Sequence, residues 1–259
     1  MKYGLLGTNI SHSLSNKLHP LIASLNNYDV DYDIIDIKKD ALKQYVDYLK
    51  EGKYQGYNVT TPFKQAIIPY LDVLSDEVKR LKACNTVMVK KGKLYGYNTD
   101  HYGFLKTIEN NQITPTDAYV LGTGGAAAIV YDVLVKKGFN VFVVTRDKAK
   151  ETPFKQLLSY DAFNQIKHMP LLVNATPVGA YPYFGSPIKG DNQTIDVVID
   201  LIYNPKVTEV MRLAKKSING LEMLIYQGIL TQSIWQEKLL KEDDETIKHI
   251  KGALYEFIR

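Results

Sequence analysis

Ala118-Tyr119-Val120-Leu121 runs into Gly122-Thr123-Gly124-Gly125-Ala126-Ala127, and an apolar stretch from Ala126 to Val135 follows before Lys136, Lys137 and Gly138. The first four residues read as a buried strand. The last three read as a helix stop, because cations suit the negative end of a helix and glycine takes the left-handed conformation beyond it. Strand, glycine turn and helix in this order form the context that a dinucleotide fingerprint requires, with Ala127 at the third small position. Gly122, Gly124, Gly125 and Ala126 let a pyrophosphate approach the backbone, where the first unpaired helix amides and the positive dipole end attract it.

Working outward, Val141 to Val144, Leu171 to Val173 and Val197 to Ile199 are short β-branched runs, each followed by polar or proline-containing sequence. With the glycine turn they predict a doubly wound, Rossmann-like domain. The strand at Val141 ends about twenty residues past the glycines, where an NAD-binding chain carries an acidic residue for the ribose 2′-hydroxyl. Thr145-Arg146 stands there instead, with Lys148 nearby. A guanidinium fork pairs with a phosphate, and a hydroxyl and an ammonium can add to it, so Thr145, Arg146 and Lys148 point to NADP. Asp147 partly opposes that field.

On the N-terminal side, Tyr3 to Leu6 and Tyr32 to Ile37 read as strands, Leu14 to Leu25 and Ala41 to Leu49 as helices. This βαβα order predicts parallel strands covered by helices. Val87 to Val89 and Leu94 to Tyr97 flank Lys90-Lys91-Gly92-Lys93 as a hairpin, which makes the first sheet mixed. From Leu221 onward the pattern turns helical, notably Gln232 to Leu240 and Glu245 to Phe257, and these helices are expected to pack back on the first domain. The expected fold is α/β, with domains over 1–103 and 104–224 and C-terminal helices over 225–259.

Composition narrows the function classes. A chain of 259 residues that is 45% hydrophobic can bury a sizeable core, which excludes a disordered or fibrous protein. The net charge of +4 is spread without a like-charge block, so neither a nucleic-acid arm nor a membrane patch is expected. No run approaches the ~18 apolar residues of a membrane span, and 1–15 breaks at Asn9, Ser11 and His12 before a signal-peptide core could form. Cys84 is the sole cysteine, so no intrachain disulfide can form, in keeping with a reducing compartment and a cytoplasmic protein. His12, His19, His101, His168 and His249 show no metal-ligand spacing, and no metal is expected.

Five further segments share one resemblance. Gly7-Thr8-Asn9-Ile10-Ser11-His12-Ser13-Leu14-Ser15, Asn58-Val59-Thr60-Thr61-Pro62-Phe63-Lys64, Asn85-Thr86, Gly96-Tyr97-Asn98-Thr99-Asp100 and Gly220-Leu221-Glu222-Met223-Leu224-Ile225-Tyr226-Gln227-Gly228 closely resemble motifs of shikimate dehydrogenases. The glycine turn, Asn174-Ala175-Thr176-Pro177 and Asp200-Leu201-Ile202-Tyr203-Asn204-Pro205 look like family segments in the same order. The resemblance implies an NADP-dependent reduction of 3-dehydroshikimate to shikimate in chorismate and aromatic amino-acid biosynthesis. It implies a substrate domain over 1–103 facing an NADP domain, and a monomer or homodimer acting on a small molecule. By the same resemblance Ser13 and Ser15 bind the substrate carboxylate, Thr60, Asn85 and Gln227 hydrogen-bond the substrate, Tyr203 is a substrate-side tyrosine, and Lys64 and Asp100 are the catalytic pair.

The chemistry asks for such groups independently. A polyhydroxylated acid needs hydroxyl and amide partners that donate and accept, and a reducible ketone needs a donor for the forming alkoxide. Each residue also suits a plainer role: Asp100, Ser13 or Ser15 a helix cap, Asn85 a turn, Tyr203 core packing, Lys64 a solvated surface. Departures from the family pattern are Asn16 for proline, Pro20 for asparagine, Lys82 for glycine, Thr145 and Asp147 around Arg146, Ala128 for a basic residue and Ala180 for methionine. A broader quinate/shikimate dehydrogenase would use the same site. A non-catalytic nucleotide or shikimate sensor would have no need of both Lys64 and Asp100.

Overall fold

Tyr3, Leu5 and Leu6 are buried in β1 (Lys2–Gly7), on which the first sheet is built. The structure is a computed structural model that describes residues 1–147, 152–181, 184–189 and 193–258. The chain divides into two units, Met1–Gly103 with Leu224–Phe257, and Phe104–Met223 with the last residues of the chain.

In the first unit, β1 is followed by α1 (Ser15–Leu25), β2 (Asp31–Asp36), α2 (Leu42–Lys50), β3 (Gly56–Val59), α3 (Phe63–Ala66), β4 (Val73–Leu74), α4 (Asp76–Leu81), β5 (Thr86–Lys90), β6 (Lys93–Tyr97) and the start of α5 (Asp100–Asn110). The strand order is β2-β1-β3-β5-β6-β4. β1 is parallel to β2 and β3, whereas β5 is antiparallel to β3 and β6, so the sheet is mixed as expected. The hairpin forms because Lys91 (φ 50°) and Gly92 (φ 73°) both take the left-handed region between paired Lys90 and Lys93, the geometry of a type I′ turn. The sequence pattern does not mark β3, whose four residues are all buried and therefore show no alternation. Lys82, at the usual glycine position, caps α4 at φ 51°, where glycine would carry no steric cost.

The second unit contains β7 (Asp117–Leu121), α6 (Gly125–Lys136), β8 (Asn140–Thr145), β9 (Leu157–Ser159), α7 (Tyr160–Asn164), β10 (His168–Asn174), β11 (Thr194–Asp200) and β12 (Ala214–Asn219), and leads into α8 (Leu221–Trp235). All pairings are parallel, in the order β12-β11-β10-β7-β8-β9. Counted from β7, this is the doubly wound order 3-2-1-4-5-6, whose switch point lies between β7 and β10. Ala118 and Val120 join one core cluster and Tyr119 and Leu121 another, so both faces of β7 are covered and its sequence reads as one apolar run. The sequence pattern also leaves β9 and β12 unmarked, since β9 has three residues and β12 is an edge strand with one buried side chain, Ile218.

The C-terminal helices differ from expectation in their bounds. The helix expected over Gln232 to Leu240 is instead the end of α8, which stops at Trp235 because Glu237 turns left-handed (φ 49°). Trp235 is the anchor that holds this end, stacked on Tyr3 at 4.1 Å with its indole N–H donating to Val87 O (3.0 Å). Helix α9 (Asp244–Tyr255) is capped by Asp243, which accepts from Thr246 N (2.8 Å), and packs on α1 of the first unit. α8 lies so close to α1 that a Cβ on Gly228 would come within 2.7 Å of Leu18 Cδ2.

Candidate active site

Because β1, β3 and β6 run the same way, their carboxyl ends share one edge of the first sheet, and β5 begins at that edge. The segments that carry Ser13, Ser15, Thr60, Lys64, Asn85 and Asp100 all adjoin it, whereas Gln227 lies on α8 and Tyr203 in the second unit. Lys64 sits on α3 just past β3, Asp100 opens α5 just past β6, and Lys64 Nζ lies 2.5 Å from Asp100 Oδ2. The two side chains are 25% and 14% exposed, so the pair is half-sheltered and the ammonium remains accessible.

Next to the pair lies a buried polar network. Asn85 Nδ2 donates to Thr99 Oγ1 (2.9 Å) and Asn85 Oδ1 accepts from Thr99 N (2.7 Å), which ties the start of β5 to the end of β6. The Thr99 hydroxyl shares a hydrogen bond with Thr231 (3.0 Å) and reaches Gln227 Oε1 at 3.5 Å. Thr86 bonds to Thr231 (3.0 Å), and Asn58, which accepts from Tyr32 OH (2.8 Å), closes the network. Such a network orients its members because each unpaired alternative is costly in a dry interior. The sequence pattern does not single out Thr99 or Thr231. Thr99 adjoins Asp100 within the Gly96-to-Asp100 motif, and Thr231 lies one helical turn from Gln227 on the same face.

Ser13 Oγ donates to Ser15 Oγ (3.0 Å) and accepts from Ser15 N (3.2 Å), a local turn that opens α1. Thr60 is held by its backbone, N to Leu6 O (2.9 Å). Among the described residues neither serine nor Thr60 bonds to Lys64 or Asp100. His19 is fully buried, stacked on Tyr32 at 4.3 Å, and burial pushes its imidazole down to about 3, so it is neutral at physiological pH. Tyr203 belongs to the second unit, where its carbonyl accepts weakly from Asn219 Nδ2 (3.5 Å).

The second unit carries a groove of about 900 Å³ at the carboxyl ends of β7, β8 and β10, lined among others by Gly122, Gly124, Thr145, Arg146, Tyr160 and Thr176. Gly122 needs to be glycine, with φ 102° and Thr176 Cγ2 3.1 Å from where a Cβ would stand. Gly124 caps α6 without a side chain, and a Cβ on Gly124 or Gly125 would meet nothing within 4 Å, so the helix end is open to a phosphate. Arg146 is exposed and has no ion-pair partner among the described residues. Thr145 is buried, and its hydroxyl both donates to Asp147 O (3.0 Å) and accepts from Asp147 N (3.1 Å), so it closes the loop that presents Arg146. Lys148 lies outside the described residues. These features fit a dinucleotide, with Gly122 to Ala126 at the pyrophosphate and Arg146 at a 2′-phosphate.

Residues 5–87 match the family described as shikimate dehydrogenase substrate binding domain. The chain is 38% identical over 251 residues to the NADP(+) shikimate dehydrogenase of Clostridium beijerinckii, covering 91% of this chain and 92% of that protein. It is similar to the crystal structure of shikimate dehydrogenase 1 from Peptoclostridium difficile (TM-score 0.89, 35% identity, 100% and 99% covered). It is also similar to the shikimate 5-dehydrogenase of Thermus thermophilus in complex with NADP(H) and shikimate (TM-score 0.85, 30% identity, 98% and 99% covered). Among the described residues no helix is long and apolar enough to cross a membrane, and no group of three or more His, Cys, Asp or Glu could hold a metal ion.

Proposed function

The chain belongs to the shikimate dehydrogenase family, and on that premise we propose that Lys64 and Asp100 are the catalytic pair with which it interconverts 3-dehydroshikimate and shikimate. It is an NADP-dependent oxidoreductase acting on a CH–OH group in the biosynthesis of chorismate and the aromatic amino acids. The observation that carries the residue assignment is the 2.5 Å ion pair at the sheet edge where the carboxyl ends of β1, β3 and β6 lie.

NADPH, when bound, supplies the hydride and, in reverse, NADP+ accepts it. Lys64 Nζ donates to the carbonyl oxygen as it becomes an alkoxide, which lowers the barrier by placing positive charge where negative charge develops. Asp100 holds that ammonium in one position, so little reorganisation remains at the moment of reaction. Asn85, Gln227 and Thr60 bind the substrate hydroxyls, and Ser13 and Ser15 its carboxylate. The Thr99–Thr231 network holds Asn85 and Gln227 in place. In the second unit the glycine turn takes the pyrophosphate, Arg146 reads the 2′-phosphate on a loop shaped by Thr145, with Lys148 close by in sequence, and Tyr203 is assigned to the substrate by its family motif. The first unit is thus the substrate domain and the second the NADP domain. The reading requires no nucleic-acid or membrane partner, is met by a monomer or a homodimer, and places the protein in the cytoplasm.

Absorbance at 340 nm tests it. Purified protein should oxidise shikimate with NADP+ far faster than quinate. Equal or faster quinate turnover would assign the broader quinate/shikimate activity, and no turnover with either substrate would remove the catalytic pair.

A further inference from the structure

Asp200, the last residue of β11, is wholly buried at 0% exposure and takes no part in the chemistry above. Its Oδ1 accepts from Asn174 Nδ2 (3.0 Å) and from Ile202 N (3.0 Å), and its Oδ2 accepts from Thr208 Oγ1 (2.6 Å). Asn174, the last residue of β10, passes the connection on. Its Oδ1 accepts from Thr176 N (3.1 Å) and Thr176 Oγ1 (2.7 Å), its Nδ2 also donates to Val178 O (3.2 Å), and Thr176 Oγ1 accepts from Val178 N (3.2 Å). Ala175 to Val178 form one wall of the nucleotide groove. Ile202, on the other side, begins the turn that carries Tyr203.

Packing alone does not call for a carboxylate here, because burying a charge is costly and an apolar side chain would fill the same space. What a carboxylate adds is four lone-pair sites in one place, enough to gather donors from three segments. We propose that Asp200 is the positioning residue of the nucleotide groove, clamping the wall at 175–178 and the Tyr203 turn to the ends of β10 and β11. The clamp rests on the reading of this groove as the NADP site. Burial pushes the carboxyl up to about 6 while Thr208, Ile202 and Asn174 pull it down, so at neutral pH the group is ionised and all three bonds are charge-assisted.

Two measurements on Asp200→Ala and Asp200→Asn test the clamp: calorimetric titration with NADP+, and amide hydrogen exchange at Thr176 and Val178 without cofactor. Asp200→Ala should weaken NADP+ by about tenfold or more and speed exchange of both amides. Asp200→Asn should stay within roughly threefold of the parent in both, because its amide still accepts from Asn174 and Ile202 and can donate to the Thr208 hydroxyl. If Asp200→Ala does not fold, Thr208→Val, which removes one donor outside the groove, should weaken NADP+ by about three- to tenfold. Unchanged exchange in a folded Asp200→Ala or Thr208→Val, or equal losses in the Ala and Asn variants, overturns the clamp. Failure of the parent protein to bind NADP+ overturns the reading of the groove instead, and the exchange rates then still decide the clamp.

Discussion

Thr99 and Thr231 share a 3.0 Å hydrogen bond although 132 positions separate them, and both side chains are fully buried. This bond joins the end of β6 to α8, and with it Asn85 to Gln227. Thr231→Val keeps the shape and removes the hydroxyl, leaving buried partners on Thr86 and Thr99 less satisfied. Urea unfolding should show a loss of about 1–2 kcal/mol. The KM for shikimate should rise several-fold while kcat changes less, since the variant disturbs binding groups and leaves Lys64 in place. An unchanged KM would separate the network from substrate binding.

Lys64→Ala should lower kcat by about 10²-fold or more, because the forming alkoxide loses its donor in the transition state. Substrate affinity should change less. Steady-state kinetics at saturating NADP+ decide the point: a variant with intact kcat and only a raised KM would make Lys64 a binding group.

Arg146→Ala tests the 2′-phosphate contact. A charge-assisted hydrogen bond contributes about 1.5–3 kcal/mol, so the variant should bind NADP+ roughly ten- to a hundredfold more weakly while NAD+ is nearly unaffected. Rising salt should reduce the preference of the parent protein for NADP+, since Arg146 is exposed and screened. Equal loss of both cofactors would mean that Arg146 supports its loop and reads no phosphate.

Asp200 also predicts a pH dependence of stability. Its carboxyl is raised from an ordinary 3.8 to about 6 by burial, so between these values the folded chain holds a proton that the unfolded chain has released. The stability from this group is complete below about pH 4 and falls as pH rises through 6, by roughly 3 kcal/mol in all. Asp200→Asn has no such titration. The difference in unfolding free energy, parent minus variant, should therefore decline from pH 4 to 7 and then level off; a flat difference would mean that the carboxyl is not raised.

Local signals were legible without the structure. The glycine turn between β7 and α6 declares itself by its small residues between a strand and a helix, and the hairpin by a short glycine-containing connection, Lys90 to Lys93, between two β-rich runs. The glycine turn with the short β-branched runs at Val141, Leu171 and Val197 predicts the doubly wound unit, and the βαβα order of the first hundred residues predicts parallel strands there, since a parallel strand needs a helical crossover. Other elements escaped because their pattern is set by neighbours. β3 is buried on both faces and shows no period, β12 is an edge strand with little apolar content, and α8 ends at Trp235 where a left-handed Glu237 and packing on Tyr3 stop it, although the residues beyond favour a helix.

The residue types of the site stood in the sequence, and the family resemblance named Lys64, Asp100, Asn85 and Gln227 from their motifs. Their distances did not. Lys64 and Asp100 are 36 positions apart, and they meet because β5 runs antiparallel between β3 and β6 and so returns the end of β6 to the end of β3. Thr231 and Asp200 became visible as organising groups only once α8 lay on the first sheet and β11 beside β10. Sequence by itself determined which residues could form strands, turns and donors, because those preferences are local. The tertiary structure decided which donors share a buried space, because that depends on strand pairing and on the cost of leaving a polar group without a partner.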